Sequence, residues 1–484
     1  MSTISNVGTR VSVAEDRAGI FGHPRGLSTL FFTEYWERFS YYGMRALLIL
    51  FMTATVADGG LGLDTATAAA IYGFYTSAVY FMGIPGGWIA DRLLGQRKAV
   101  LYGGILIAMG HYSLALNMTP AFYGGLVSIV LGTGLLKPNI SSIVGQLYSA
   151  EDQRRDAVFS LFYMGINMGA FVSPLVCGYL GQRVGWHWGF GAAGIGMTLG
   201  LIQYLIGGSR LGNAGKLAHK PEGAGRLWAG VLVSVLAMTA TFYFLWDYRD
   251  FVLIGGTIGV FWWLLRQGKD STERKRIWAI IALFVFAMMF WAGFEQAGSS
   301  LNLFADRFTQ NSVFAVEFPS TFFQSVNPLM IIALAPVFAW LWTGLGNRAP
   351  SSPVKFVFGL IFLGLGFLVV AWAAYVSGQG GNARVSPMWL VVVYALHTIG
   401  ELCLSPVGLS TVTKLAPERL VGSMMGVWFL ASALGNFVGG RIAGLFETFP
   451  LPQLFGAVFL TTGASAIVLL FLVKPIRSLM GGVR

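Results

Sequence analysis

One apolar stretch, Glu34-Tyr35-Trp36-Glu37-Arg38-Phe39-Ser40-Tyr41-Tyr42-Gly43-Met44-Arg45, carries two carboxylates and two guanidinium groups. At about 100° per residue, Glu34, Arg38, Tyr42 and Arg45 fall within roughly 80° of one another on a helix, with Glu37 and Tyr41 beside Glu34. Acids and bases this close titrate as a coupled set, so one carboxylate can change protonation as its neighbours move. That is the chemistry of proton coupling. The bland alternative is a self-neutralising i, i+4 pair of Glu34 with Arg38, kept for packing. A charge facing lipid costs about 2.5 to 3.5 kcal/mol or more, so the face must look into protein or a water-filled path, which favours the functional reading.

Other polar groups stand isolated in apolar surroundings: Lys137-Pro138-Asn139, Tyr163 with Asn167, Phe294-Glu295-Gln296, Gln324 with Asn327-Pro328, and Gly400-Glu401 with Ser405-Pro406. Lys137 lies roughly 15 Å from the nearer end of its helix, too deep for easy snorkelling. Counted along the helices from one membrane face, Glu37, Lys137, Tyr163, Asn167 and Glu401 come at roughly 10 to 20 Å, and Arg45, Glu295, Tyr42 and Asn327 roughly 10 Å higher. A lysine and a carboxylate at one level, Lys137 and Glu401, define a breakable gate. Arg441, near the end of its helix, reads equally as a snorkelling or a functional residue. His111 and His187 read as interfacial, whereas His397 stands one turn before Glu401. No nucleophile with a base and no metal-ligand cluster is visible, so neither an enzyme, a cofactor nor a bound metal is expected. The two cysteines, Cys177 and Cys403, both lie in apolar segments and suggest no disulfide framework.

These groups need helices long enough to cross a bilayer. The chain is 55% hydrophobic and 11% charged, with mean hydropathy +0.66, which places it among polytopic membrane proteins. Apolar runs give about fourteen spans of near 20 residues. They lie near 26–55, 66–90, 98–117, 121–147, 157–180, 187–208, 226–246, 250–266, 277–304, 319–345, 354–377, 387–414, 421–447 and 453–474. The first span carries charges and no small-residue cleavage site, so it should remain as a true span. The seventh and eighth contain no acid or base well inside and read as scaffold linking two six-helix halves.

The net charge of +11 could suggest nucleic acid, but most Lys and Arg gather in alternate loops and instead mark topology. Only Arg183, Arg249, Arg307 and Arg384 fall on the other side. Both termini are therefore expected in the cytoplasm. The expected domains are a cytoplasmic segment 1–25, a six-helix bundle 26–208, a linker with two extra helices 209–276, a second bundle 277–474 and a tail 475–484.

The loop Gly86-Gly87-Trp88-Ile89-Ala90-Asp91-Arg92-Leu93-Leu94-Gly95-Gln96-Arg97-Lys98 resembles the loop motif of the major facilitator superfamily, with a degenerate echo from Gly344 to Lys355. Here the structural role, coupling helix ends, outweighs substrate contact. The resemblance implies an all-α polytopic fold of two six-helix bundles around a central cavity, with two extra helices, making fourteen.

The set Glu34-x-x-Glu37-Arg38-Phe39, Phe162-Tyr163-x-x-Ile166-Asn167-x-Gly169, Phe294-Glu295-Gln296-x-Gly298 and Gly400-Glu401-x-x-x-Ser405-Pro406-x-Gly408-Leu409 resembles the proton-dependent oligopeptide transporters, bacterial type. The resemblance spans nearly the whole chain. It implies symport of di- and tripeptides with protons by alternating access in the bacterial inner membrane, by a chain working as a monomer. It assigns proton coupling to Glu34, Glu37 and Arg38, peptide contact to Arg45, Lys137, Glu295 and Glu401, and cavity lining to Tyr42, Tyr80, Tyr163, Asn167, Asn327, Trp428 and Ser432. Arg45 and Lys137 can receive a peptide carboxylate, and Glu295 and Glu401 its amino group. Some family members place a His or Arg near the outer start of helix 2; Asp64-Thr65-Ala66-Thr67 offers neither. A drug/proton antiporter or nitrate-type relative shares the scaffold, but Arg45, Lys137 and Glu295 together favour the peptide reading.

Overall fold

The computed structural model describes residues 18, 19, 22–148, 152, 154–217, 223, 225, 227–230, 233, 249–379 and 384–482. The first six spans appear as α1 (Arg25–Thr53), α2 (Thr65–Phe81) continued by α3 (Gly83–Ile89), α4 (Gln96–Leu114), α5 (Thr119–Gln146), α6 (Arg154–Tyr179) and α7 (Trp186–Gly207). The second bundle is built from α9 (Ser271–Phe294) continued by α10 (Ser300–Phe308), then α11 (Val326–Leu345), α12 (Ser352–Gln379), α13 (Met388–Leu415), α14 (Val421–Ala443) and α15 (Leu451–Leu479). Between them α8 (Arg249–Gln267) is the eighth span. The seventh, 226–246, lies almost wholly outside the described residues. The architecture is that of the major facilitator superfamily, two six-helix bundles, with one extra helix, α8, among the described residues.

Among the described residues, nine helices pass a strict test of length and hydropathy for crossing a membrane. The first span is not among them because it carries Glu34, Glu37, Arg38 and Arg45. Three spans expected as single helices are broken. The second steps at Met82 between α2 and α3 and ends in a π turn, Ala90–Leu94. The ninth breaks at a 3-10 turn, Glu295–Gly298, and the tenth begins with another, Ser320–Ser325. Hydropathy cannot register these breaks, because it counts apolar side chains and is blind to the backbone hydrogen-bond ladder. A two-stranded hairpin, Ser312–Val313 with Val316–Glu317, joins α10 to the tenth span and was not expected from the sequence.

The superfamily loop behaves as a structural joint. Gly95 takes φ 77°, a conformation that glycine adopts without strain. Arg97 then donates from Nε to the Ala214 carbonyl at 2.6 Å and from Nη2 to Gly212 at 2.7 Å, pinning the end of the bundle. Asp91 accepts from Gln96 Nε2 at 3.2 Å. Across the bundles, α2 packs closely on α14. A methyl group at Gly73 would come 2.8 Å from the Gly440 Cα, so only glycines permit this approach.

Arg441 is resolved by the structure. Its Nη2 pairs with Asp250 at the start of α8 at 2.7 and 2.9 Å, which ties the extra helix to α14.

Candidate functional site

Three polar groups hold the expected charged residues: one on the first helix, one between the bundles and one within the second bundle. In the first, Arg38 Nε stands 3.1 Å from Glu34 Oε1 and also contacts Glu37 Oε2. All three side chains are at most 4% exposed. Glu34 Oε2 and Glu37 Oε1 accept no hydrogen bond among the described residues. Two carboxylates on one guanidinium carry a net negative charge in a dry site, a cost that a proton or a further cation removes. That further cation is Lys137, which acts electrostatically on Glu34 and whose Nζ sits 4.2 Å over the Tyr80 ring.

The second group crosses the interface. Arg45 Nη2 meets Glu295 Oε2 at 2.6 Å, and Arg45 Nε donates to the Tyr72 hydroxyl at 2.6 Å. The Arg45 guanidinium also lies 5.8 Å from the Tyr42 ring centre. Glu295 is aimed there by the 3-10 turn that breaks its span.

In the third group, Asn327 Nδ2 donates to Glu401 Oε2 at 3.0 Å and to Thr398 Oγ1 at 2.9 Å. The separation into two depth levels therefore does not hold for this pair, which sits together. Residue count measures distance along one helix and does not fix how far that helix is shifted against its neighbour.

Among the other expected residues, Tyr163 is 39% exposed although well inside α6, and borders a cavity of about 830 Å³. Asn167 is buried and donates to the Tyr163 carbonyl at 2.9 Å. Trp428 and Ser432 are both buried, with the Trp428 ring against Gly408. No ion pair joins Lys137 to Glu401 among the described residues, and α5 and α13, which carry them, do not pack side by side. His397 is buried with its ring 5.0 Å from that of Phe367, turned into the second bundle. His111 is fully buried, not interfacial, because a neighbouring helix covers it; His187 is exposed.

On the face away from the basic loops the bundles are sealed. Gln182 Nε2 donates to Asp306 Oδ1 at 3.1 Å and to Ser320 Oγ at 2.8 Å, and its Oε1 accepts from Thr321 N and Oγ1. Nearby, Glu447 accepts from Thr65 across the interface and from Arg307 at 2.8 Å. These hydrogen bonds hold the Glu447 carboxyl below the ordinary glutamate range. Sequence reasoning missed Tyr72, Thr398, Gln182 and Glu447. Thr398 had a signal, being three residues before Glu401 on one helix face; a lone glutamine or a loop glutamate had none.

A membrane transporter with two bundles around a polar path is the class this fold and site define. The POT family model matches residues 97–458, and the chain belongs to that family. It is 44% identical to the peptide transporter YePEPT of Yersinia enterocolitica, over 95% of this chain and 96% of that one. It is 40% identical to a di-/tripeptide transporter of Lactococcus lactis subsp. lactis, over 96% and 98%. A crystal structure of a peptide transporter POT in complex with sulfate matches with TM-score 0.90 and 43% identity, covering 98% of this chain and 99% of that one. A POT family transporter in complex with 5-aminolevulinic acid matches with TM-score 0.87 and 34% identity, over 96% and 99%.

Proposed function

We propose that this protein is a proton-coupled symporter that imports di- and tripeptides across the bacterial inner membrane by alternating access. The observation that carries the reading is the buried Arg45–Glu295 pair, whose opposite charges lie on opposite bundles beside the path. A zwitterionic peptide offers a carboxylate to a guanidinium and an ammonium to a carboxylate, so it can replace each partner of the pair. Asn327 and Glu401 add a second acceptor set for the ammonium end, and Lys137 a second cation for the carboxylate end. The names of the Yersinia and Lactococcus relatives support a peptide cargo.

Coupling follows from charge balance. With Lys137 near Glu34, the group Glu34, Glu37, Arg38 and Lys137 is neutral with both carboxylates ionised. A peptide carboxylate that draws Lys137 away leaves a net negative charge, and one carboxylate then takes a proton. Lys137 and Glu401 close the floor in another stage of the cycle. The halves that move are 26–208 and 277–474, one chain supplies the whole path, and the basic face, with both termini, is cytoplasmic.

Uptake into proteoliposomes tests this reading. Dialanine and trialanine should accumulate under an inwardly directed proton gradient, tetraalanine and a non-peptide solute should not, and collapse of the gradient should abolish accumulation. Gradient-independent uptake would refute the coupling, and equal uptake of the non-peptide would refute the cargo.

A further inference from the structure

The cavity of about 830 Å³ bordered by Tyr163 lies between α6 of the first bundle and α11 and α13 of the second, and reaches the basic helix ends. Three cations from three helix ends line it: Lys355 near the start of α12, Lys414 near the end of α13 and Arg477 near the end of α15. No carboxylate lines it, and none of the three is ion-paired among the described residues. Lys355 and Lys414 are close enough to repel one another. Cations gathered this way without an acid are a cost in the empty protein that an anion removes. Ser352, more than nine-tenths buried, also lines the cavity and makes no hydrogen bond through its hydroxyl among the described residues. It stands at the first residue of α12, where free backbone N–H groups and the helix dipole favour negative charge.

The wall also carries hydroxyls, from Ser160, Ser351, Ser410 and Thr411 among others, and an aromatic side. Phe338 and Trp342 of α11 line the cavity, and the Trp342 ring holds Lys355 Nζ at 4.3 Å from its centre. Only 11% of the most apolar window of this span is buried. A charged pocket at a helix-end level that continues into a lipid-facing apolar wall has the shape of an amphiphile. We propose that it binds the phosphate headgroup of an anionic phospholipid, with Lys355, Lys414, Arg477 and Ser352 on the phosphate and Phe338 and Trp342 along the upper acyl chain. Basic pockets between membrane helices hold headgroups in this way. The proposal does not depend on what the carrier moves.

Native mass spectrometry of the full chain in detergent, titrated with phosphatidylglycerol or phosphatidylcholine, tests it. The anionic lipid should bind about tenfold to a hundredfold tighter, as three basic contacts require. K355Q/K414Q/R477Q should lose that preference and K355R/K414R should keep it. K98Q/K216Q/K269Q, which removes equal charge from the same face outside the cavity, should also keep it. An unchanged preference in the first variant, or an equal loss in the control, overturns the site. Displacement of phosphatidylglycerol by millimolar inorganic phosphate would overturn the lipid and make free phosphate the ligand.

Discussion

Arg45 and Glu295 meet at 2.6 Å across the bundle interface, each at most 7% exposed, so the first helix of one half is charge-locked to the first helix of the other. Removing one partner strands the other as a buried charge, which costs about 3 to 5 kcal/mol. Glu295→Gln and Arg45→Gln should each reduce dialanine affinity at least about tenfold and lower thermal stability. The double variant should recover stability and not binding. Calorimetric titration with a thermal melt separates the two effects; intact affinity in both single variants would remove the pair from the peptide site.

Glu37 should couple transport to the proton. Glu37→Gln resembles the protonated form, so counterflow of peptide for peptide should persist while gradient-driven accumulation falls to background. Glu34→Gln and Arg38→Lys, measured alongside, distinguish a trapped arginine from lost coupling. A Glu37→Gln carrier that still concentrates peptide would move the role to Glu295 or Glu401.

The separation of Lys137 from Glu401 in this structure makes a gate of the two charges testable. Lys137→Ala and Glu401→Ala should each abolish uptake at normal expression, and a Lys137→Glu, Glu401→Lys exchange should restore closure of the floor. Full uptake by both single variants would end the idea.

Gln182 should act as an outer latch, since its one amide group makes four hydrogen bonds to the opposite bundle. Four hydrogen bonds at about 0.5 to 1.5 kcal/mol net each amount to about 2 to 6 kcal/mol, so Gln182→Ala should raise the outward-open population at least about thirtyfold. Spin labels at Val184→Cys and Val316→Cys, both exposed positions on opposite bundles, would report this as a longer distance component. An unchanged distribution would mean that the latch carries no weight.

Glu447 adds a pH signature. Its carboxyl is held low by Thr65 and Arg307, so the latch is fully present above the ordinary glutamate value and lost as pH falls through the depressed one. The same labels should show a distribution flat from pH 7 to about 5 that opens only in stronger acid. Glu447→Gln should show no such acid limb.

The sequence by itself determined the class of fold and the identity of the charged groups. Length and hydropathy set the spans because a bilayer demands about 20 apolar residues per crossing, and a charge inside such a run is too costly to be incidental. Hence Glu34, Glu37, Arg38, Arg45, Lys137, Glu295 and Glu401 could be named before their positions were known. Partnership was decided only by the tertiary structure. Arg45 reads in the chain as one of a coupled set with Glu34, Glu37 and Arg38 and is paired with Glu295; Asn327 and Glu401 read as separate levels and share a hydrogen bond. Arg441 turned out to anchor a scaffold helix through Asp250. These outcomes depend on the turn at Glu295–Gly298 and on glycine contacts such as Gly73 with Gly440. A periodic pattern along one helix says which face a residue occupies, and nothing about which helix that face will meet.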